Sequence, residues 1–209
     1  ILTLMILVGS AYYSWTYISI TNVLAFPSVI VAFIVGIITI RKKEWAPVTV
    51  PIYGVLQGIF LGIISNMFNT LYDGIVITAI SYTLCILFAL LSVYRLGIIK
   101  PSENFKLGVA AATGGIAMLY LVNVAMSFFG SGIPLMDINN SSMYSIGFSV
   151  FVIIIASMNL VVDFDFIEEG AEKGAPKFME WYGAFGLMVT LVWLYLEILK
   201  LLAKMNSRK

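Results

Sequence analysis

Residues 143–200 read MYSIGFSVFVIIIASMNLVVDFDFIEEGAEKGAPKFMEWYGAFGLMVTLVWLYLEILK, and this stretch decides the fold. It holds two apolar runs, each long enough to cross a bilayer, on either side of an acidic segment. The first run ends in Asp163-Phe164-Asp165. Six of the chain's eleven acids (Asp163, Asp165, Glu168, Glu169, Glu172 and Glu180) fall within residues 163–180. The second run starts near Gly183 and carries Glu197 in its second half. Carboxylates are costly in lipid, so acids at the end of one span and inside the next are expected to face protein or a water-filled path.

The composition of the whole chain agrees with lipid as its solvent. Of 209 residues, 61% are hydrophobic and 11% charged, with a mean hydropathy of +1.01; a soluble domain carries about 25% charged residues. A water-soluble globule cannot hide that much apolar surface. The single Cys85 excludes an internal disulfide, and the absence of His removes the commonest zinc and haem ligand. The chain opens at Ile1 inside an apolar run, so an initiating segment is expected ahead of it. The run has spanning length and no basic start, which argues against a cleavable signal peptide.

Seven segments have roughly the 20 apolar residues that a helical crossing needs. They are about 1–20, 24–40, 48–67, 74–94, 107–129, 143–163 and 183–202, read as one membrane domain over 1–209. Asn22, Pro27, Pro47, Pro51, Pro101, Pro134 and the Gly130-Ser131-Gly132 cluster are expected in the gaps. Helices are the reading throughout, because open sheets leave edge amides unsatisfied in hydrocarbon and the runs lack barrel alternation.

Arg41, Lys42 and Lys43 follow span 2, Arg95, Lys100 and Lys106 follow span 4, and Lys173 and Lys177 follow span 6. The loops on the other side carry no Lys or Arg. Positive charge marks the cytoplasmic face, so the N-terminus is expected there. Lys200, Lys204, Arg208 and Lys209 follow span 7 and disagree with that rule. Either they are tolerated outside, or one segment is re-entrant and the tail returns. Trp45, Tyr94, Trp181 and Tyr182 at the inner ends, with Tyr12, Tyr13, Trp15 and Tyr17 near the outer end of span 1, suit interfacial anchoring.

Helical spacing then sorts the polar residues into faces. Gly54, Gly58 and Gly62 recur every four residues in span 3, with Gln57 beside them, and allow a neighbouring helix close approach. Gly108, Ala111, Ala112, Gly114 and Gly115 offer the same in span 5. Packing within a monomer is the first reading of these small faces and weak homo-oligomerisation the second. Gln57 reads as an interhelical hydrogen-bonding group, with lining of a pathway behind it. Asn159 and Asp163 are four apart and share a face, whereas Asp165 lies about 200° round from Asp163. Asp163 is therefore the inward acid, and Asp165 belongs with Glu168 and Glu169 on a cytoplasmic rim. Thr190 and Glu197 are seven apart on one face of span 7, about 10 Å along it. Glu197 can snorkel to the interface, or pair with Lys200 or the tail.

These residues resemble the Bax inhibitor-1 superfamily, and its bacterial YccA-like branch in particular. The likeness rests on the seven-span layout, on Asn159-Leu-Val-Val-Asp163-Phe-Asp165-Phe closing span 6, and on Glu180-Trp-Tyr-Gly-Ala-Phe-Gly through Leu194-Tyr-Leu-Glu-Ile-Leu-Lys200 in span 7. It implies an all-α membrane protein, a seven-transmembrane helical bundle with a central last helix. It implies a pH-sensitive calcium leak, or modulation of a membrane-anchored AAA+ protease. It also implies that Asp163 interacts with Arg41 at the end of span 2 and with an acid in span 7. Thr190 stands at that last position and cannot ionise, so a two-carboxylate proton latch is not carried over.

The expected function is a passive route for cations, calcium foremost, with Asp163 and Arg41 as a cytoplasmic-side gate. Asp163, Asn159, Thr190, backbone carbonyls and water would give calcium only some of its six to eight oxygens, as conduction requires. Transient calcium at Asp163 is the sole metal expected, with no resident cofactor. Regulation of a protease or another membrane assembly, through the acidic segment 163–180, is the alternative. Nothing favours an enzyme: there is no His, no HExxH pair and no glycine-rich loop ending in Lys. Nor is a nucleic-acid partner expected. The resemblance points to a bacterial cytoplasmic membrane, where the Asn-x-Ser sequons at Asn139 and Asn140 carry no glycan.

Overall fold

The computed structural model describes residues 2–130, 132–138 and 140–207; Ile1, Ser131, Asn139 and the tail charges Arg208 and Lys209 lie outside them. Seven long helices and one single-turn helix account for most of that chain. They are α1 (Leu2–Thr16), the one-turn α2 (Ile18–Thr21), α3 (Ala25–Arg41), α4 (Ala46–Leu71), α5 (Ile75–Arg95), α6 (Glu103–Phe128), α7 (Met143–Glu172) and α8 (Phe178–Asn206). No strand occurs among the described residues. Six of these helical stretches, from Asn22–Arg41 through Phe178–Asn206, are long and apolar enough to cross a membrane. The break after α1 is at Tyr17 (φ −109, ψ 44). There the Thr21 hydroxyl donates to the Ser14 carbonyl at 3.1 Å, satisfying a backbone acceptor near the interruption.

Asn22 lies between helices as its residue type suggests, but Pro27, Pro47 and Pro51 do not separate the spans. Asn22 lies in a 3-10 turn leading into α3, and Pro27 is the third residue of α3. Pro47 sits in the first turn of α4, where no amide partner is needed, and Pro51 is carried inside it. The acidic segment is likewise mostly helix. Helix α7 runs on to Glu172, and Lys173 pairs with Glu169 beside the last turn. Gly174 (φ +61) ends it, with Ala175 N–H donating to the Gly170 carbonyl at 2.9 Å and Gly174 N–H to that of Ala171 at 3.2 Å.

The chain divides into two compact units: the residues up to Asp73 with Phe166–Val189, and Gly74–Asp165 with the residues from Thr190. In the first unit α1 and α3 both pack on α4. A Cβ on Gly58 would lie 1.9 Å from Ser10 Oγ and 2.4 Å from the Leu7 carbonyl, and one on Gly62 would lie 2.3 Å from the Ala11 carbonyl. The small face of α4 thus serves contact with α1 inside the monomer. Ser14 Oγ reinforces that contact by donating to the Ile59 carbonyl at 3.0 Å. Thr39 Oγ1 on α3 donates to Thr49 Oγ1 on α4 at 2.8 Å, a polar link between two otherwise apolar faces.

In the second unit Ile116 of α6 and Val152 and Ile155 of α7 form a buried cluster, with Ala112, Tyr120, Phe148, Met158 and Trp193 packed on it. Gly108, Gly114 and Gly115 of α6 meet nothing within 4 Å where a side chain would start. Their small face, unlike that of α4, is not used for packing among the described residues. Outward positions are apolar, as with Phe26 at 77% exposure and Leu121 at 66%. That is the pattern expected where the surrounding solvent is hydrocarbon.

Replacing Gly58 or Gly62 by Ala is expected to push α1 off α4 and cost about 1–3 kcal/mol. Gly54→Ala, whose nearest neighbour is Ile6 at an ordinary 3.5 Å, is expected to be tolerated. Thermal unfolding of the three variants in detergent checks the contrast.

Candidate functional site

Helix α7 delivers Asn159 and Asp163 four residues apart on one face, as the sequence predicts. Asn159 Nδ2 donates to Thr113 Oγ1 on α6 at 2.7 Å and to the Ile155 carbonyl at 2.9 Å. Its amide nitrogen is therefore committed to holding α6 and α7 together, which leaves the amide oxygen as its free acceptor capacity. One turn on, Asp163 has the Thr190 hydroxyl of α8 as its hydrogen-bonding neighbour. Asp163 Oδ2 is sealed from solvent and has no hydrogen-bond partner among the described residues. A buried, unpaired carboxylate oxygen is costly, and such an atom marks a place for a donor, a cation or a proton.

Asp165 behaves otherwise than a solvated rim residue. Its Oδ2 lies 2.6 Å from Lys106 Nζ, and the Tyr94 hydroxyl lies 3.4 Å from its Oδ1. The helix does turn it away from Asp163, but toward α5 and α6 instead of water. Lys106 also reaches Glu103 at 3.0 Å, so this lysine, three residues into α6, fastens α6 to α7. The spacing argument gave the rotation correctly; it had no means of seeing which helix stood on that side.

Glu197 does not snorkel. It is 2% exposed, accepts a hydrogen bond from Tyr120 of α6 at 2.5 Å, and pairs with Lys200 at 2.9 Å. Lys200 Nζ in turn lies 4.9 Å from the centre of the Tyr120 ring. Thr190, Glu197 and Lys204 follow one another at intervals of seven on α8, so they share a face, and all three are buried. The seven-residue spacing from Thr190 to Glu197 reaches Lys204 when it is carried one step further. Tyr120 and Thr113 had no such signal, because a polar tip on an aromatic or a short hydroxyl in an apolar helix is commonplace.

Arg41 and Gln57 belong to the first unit, and Asp163 to the second. Gln57 is half-buried in α4. Arg41 is the exposed last residue of α3 and lines an open cleft with Lys42, Lys43, Glu44, Pro176 and Met179. Lys42 Nζ stands 4.4 Å from the centre of the Trp45 ring and Lys43 Nζ 5.0 Å from that of Tyr182. No group of three metal-ligating Asp, Glu, Cys or His side chains exists among the described residues.

A family model described as Bax inhibitor 1 like matches residues 1–207. No curated protein and no solved structure matches the chain.

The Lys106–Asp165 pair is partly shielded, with side chains 25% and 22% exposed. A double-mutant cycle of Lys106→Gln and Asp165→Asn, read from unfolding in detergent, is expected to give a favourable coupling that shrinks as salt is raised. Coupling indistinguishable from zero would remove the pair from the account of how α6 and α7 are joined.

Proposed function

Because the chain belongs to the Bax inhibitor 1 like family, we propose that it provides a passive route for cations across the membrane, with calcium as the foremost ion. The observation that carries this reading is Asp163 Oδ2: a carboxylate oxygen in a membrane-length helix, sealed and without a hydrogen-bond partner among the described residues. The Thr190 hydroxyl and the free amide oxygen of Asn159 supply further hard oxygen ligands along the same stretch. A hard divalent ion prefers such oxygens, and an incomplete set holds it weakly enough to let it leave. Full coordination would trap the ion; one carboxylate with neutral oxygens passes it on.

In this reading Arg41 competes with the cation for Asp163 and closes the cytoplasmic side. Protonating Asp163 removes the charge that both of them seek, so the same carboxyl links the route to pH. The likeness to the YccA-like branch, and a place in a bacterial cytoplasmic membrane with the N-terminus inside, complete the proposal.

Calcium entry into dye-loaded proteoliposomes tests it. The wild-type chain is expected to admit calcium, and Asp163→Asn to lower the rate by roughly tenfold, as loss of one charge–ligand contact would. Arg41→Gln is expected to raise it. A wild-type chain that admits none, or an Asp163→Asn variant that matches it, rejects the route. Stoichiometric recovery of a membrane protease from native membranes, with no calcium entry, would favour a regulatory role instead.

A further inference from the structure

The second unit buries a lysine that the cation route does not use. Lys204, in the last turns of α8, is 2% exposed. Its ammonium donates to the Leu135 carbonyl at 3.0 Å, to Ser149 Oγ at 3.0 Å and to the Ser145 carbonyl at 3.4 Å. An ammonium has three protons, and here each has one neutral acceptor. No carboxylate lies within ion-pair distance of it among the described residues. Asp137, in the same connecting segment, and Glu197 are near enough for their charges to act on it. Glu197 is already matched by Lys200 and Tyr120, and the groups that accept from the Lys204 ammonium are all neutral.

The three acceptors come from two stretches remote in sequence from α8. Leu135 lies in the 3-10 turn Pro134–Met136, and Ser145 and Ser149 lie in the first two turns of α7. Ser145 is itself buried and its hydroxyl donates to the Leu135 carbonyl at 2.9 Å, while Asn123 Oδ1 of α6 accepts from Ile133 N–H at 2.7 Å. The segment from α6 to α7 is thereby folded against the helix ends, with the ammonium at its fastening point. Ser145 and Asp163 are 18 residues apart on α7, about 27 Å along its axis, so this fastening sits at the far end from Asp163.

We propose that Lys204 is a latch and a fixed positive plug: it holds residues 133–136 over the start of α7 and closes that end to cations. Its placement as a barrier rests on the reading of Asp163 as the cation acceptor; its action as a latch does not. A divalent ion moving along the Thr190–Glu197–Lys204 face meets a like charge whose hydrogen-bond acceptors are all neutral. Entry from that end requires the acceptors to let the ammonium go.

Two readouts on the full chain in lipid nanodiscs and proteoliposomes test this. The first is modification of Glu197 by a water-soluble carbodiimide and a small amine, followed by mass spectrometry. Glu197 is expected to be protected in the wild type, and labelled roughly tenfold faster in Lys204→Met, since local opening exposes it. Ser149→Ala, which removes one acceptor of three, is expected to give a smaller rise and decides the matter if Lys204→Met does not fold. Glu197 protected equally in every folded variant overturns the latch.

The second readout is calcium entry. Lys204→Met is expected to raise it several-fold, and adding Asp163→Asn to return it to background. If Glu197 opens but no form of the chain, wild type included, admits calcium, the latch stands and the leak reading of Asp163 fails. If wild-type entry depends on Asp163 and Lys204→Met leaves it unchanged despite an open Glu197, the plug is overturned.

Discussion

A polar atom carried into hydrocarbon has no water to turn to, and each one in this chain must be met by another part of the protein. That constraint arranges the second unit. Asn159 is met by Thr113, Asp165 by Lys106, Glu197 by Tyr120 and Lys200, and Lys204 by Leu135, Ser145 and Ser149. Apart from Glu197–Lys200, which lies within α8, each of these contacts joins elements that apolar packing alone would leave free to slide, because lipid tails are as apolar as Leu and give no net drive to bury it. Asp163 is the member of the set with an oxygen left over. Its departure from the pattern is why the proposed cation route is built on it.

The first unit meets the same constraint by a different route. Its helices come so close that small residues and hydroxyls link them directly, with Gly58 and Gly62 of α4 against α1 and Thr39 against Thr49. No charged pair joins these helix faces among the described residues. The difference agrees with the proposed route: a tight seam needs shape, whereas a route for ions would need polar groups that can exchange partners.

Much of this was legible in the sequence. Apolar run length located the helices from α3 to α8 to within a few residues, since hydropathy is a property of each segment by itself. It stopped short of the helix ends, most of all in α7, because charged residues such as Glu168, Glu169 and Glu172 stop the membrane without stopping the helix. It misread Pro27, Pro47 and Pro51, whose missing amides cost little near a helix start or among neighbours that satisfy the freed carbonyl. Periodicity also placed Asn159 with Asp163, and Thr190 with Glu197. What it could not supply was the partner across the gap: Lys106 for Asp165, Tyr120 for Glu197, the 133–136 turn for Lys204. Those pairings span between 59 and 77 positions of sequence and depend on how helices are rotated against one another.

The account turns on whether Asp163 Oδ2 takes a cation. A structure determined with calcium, or with barium as a stronger scatterer, addresses this directly. The account predicts an ion within about 2.3–2.6 Å of that oxygen for calcium, with Thr190 or Asn159 as a neighbouring oxygen. Saturating calcium with no ion density there, and Oδ2 instead held by a protein donor, would contradict it.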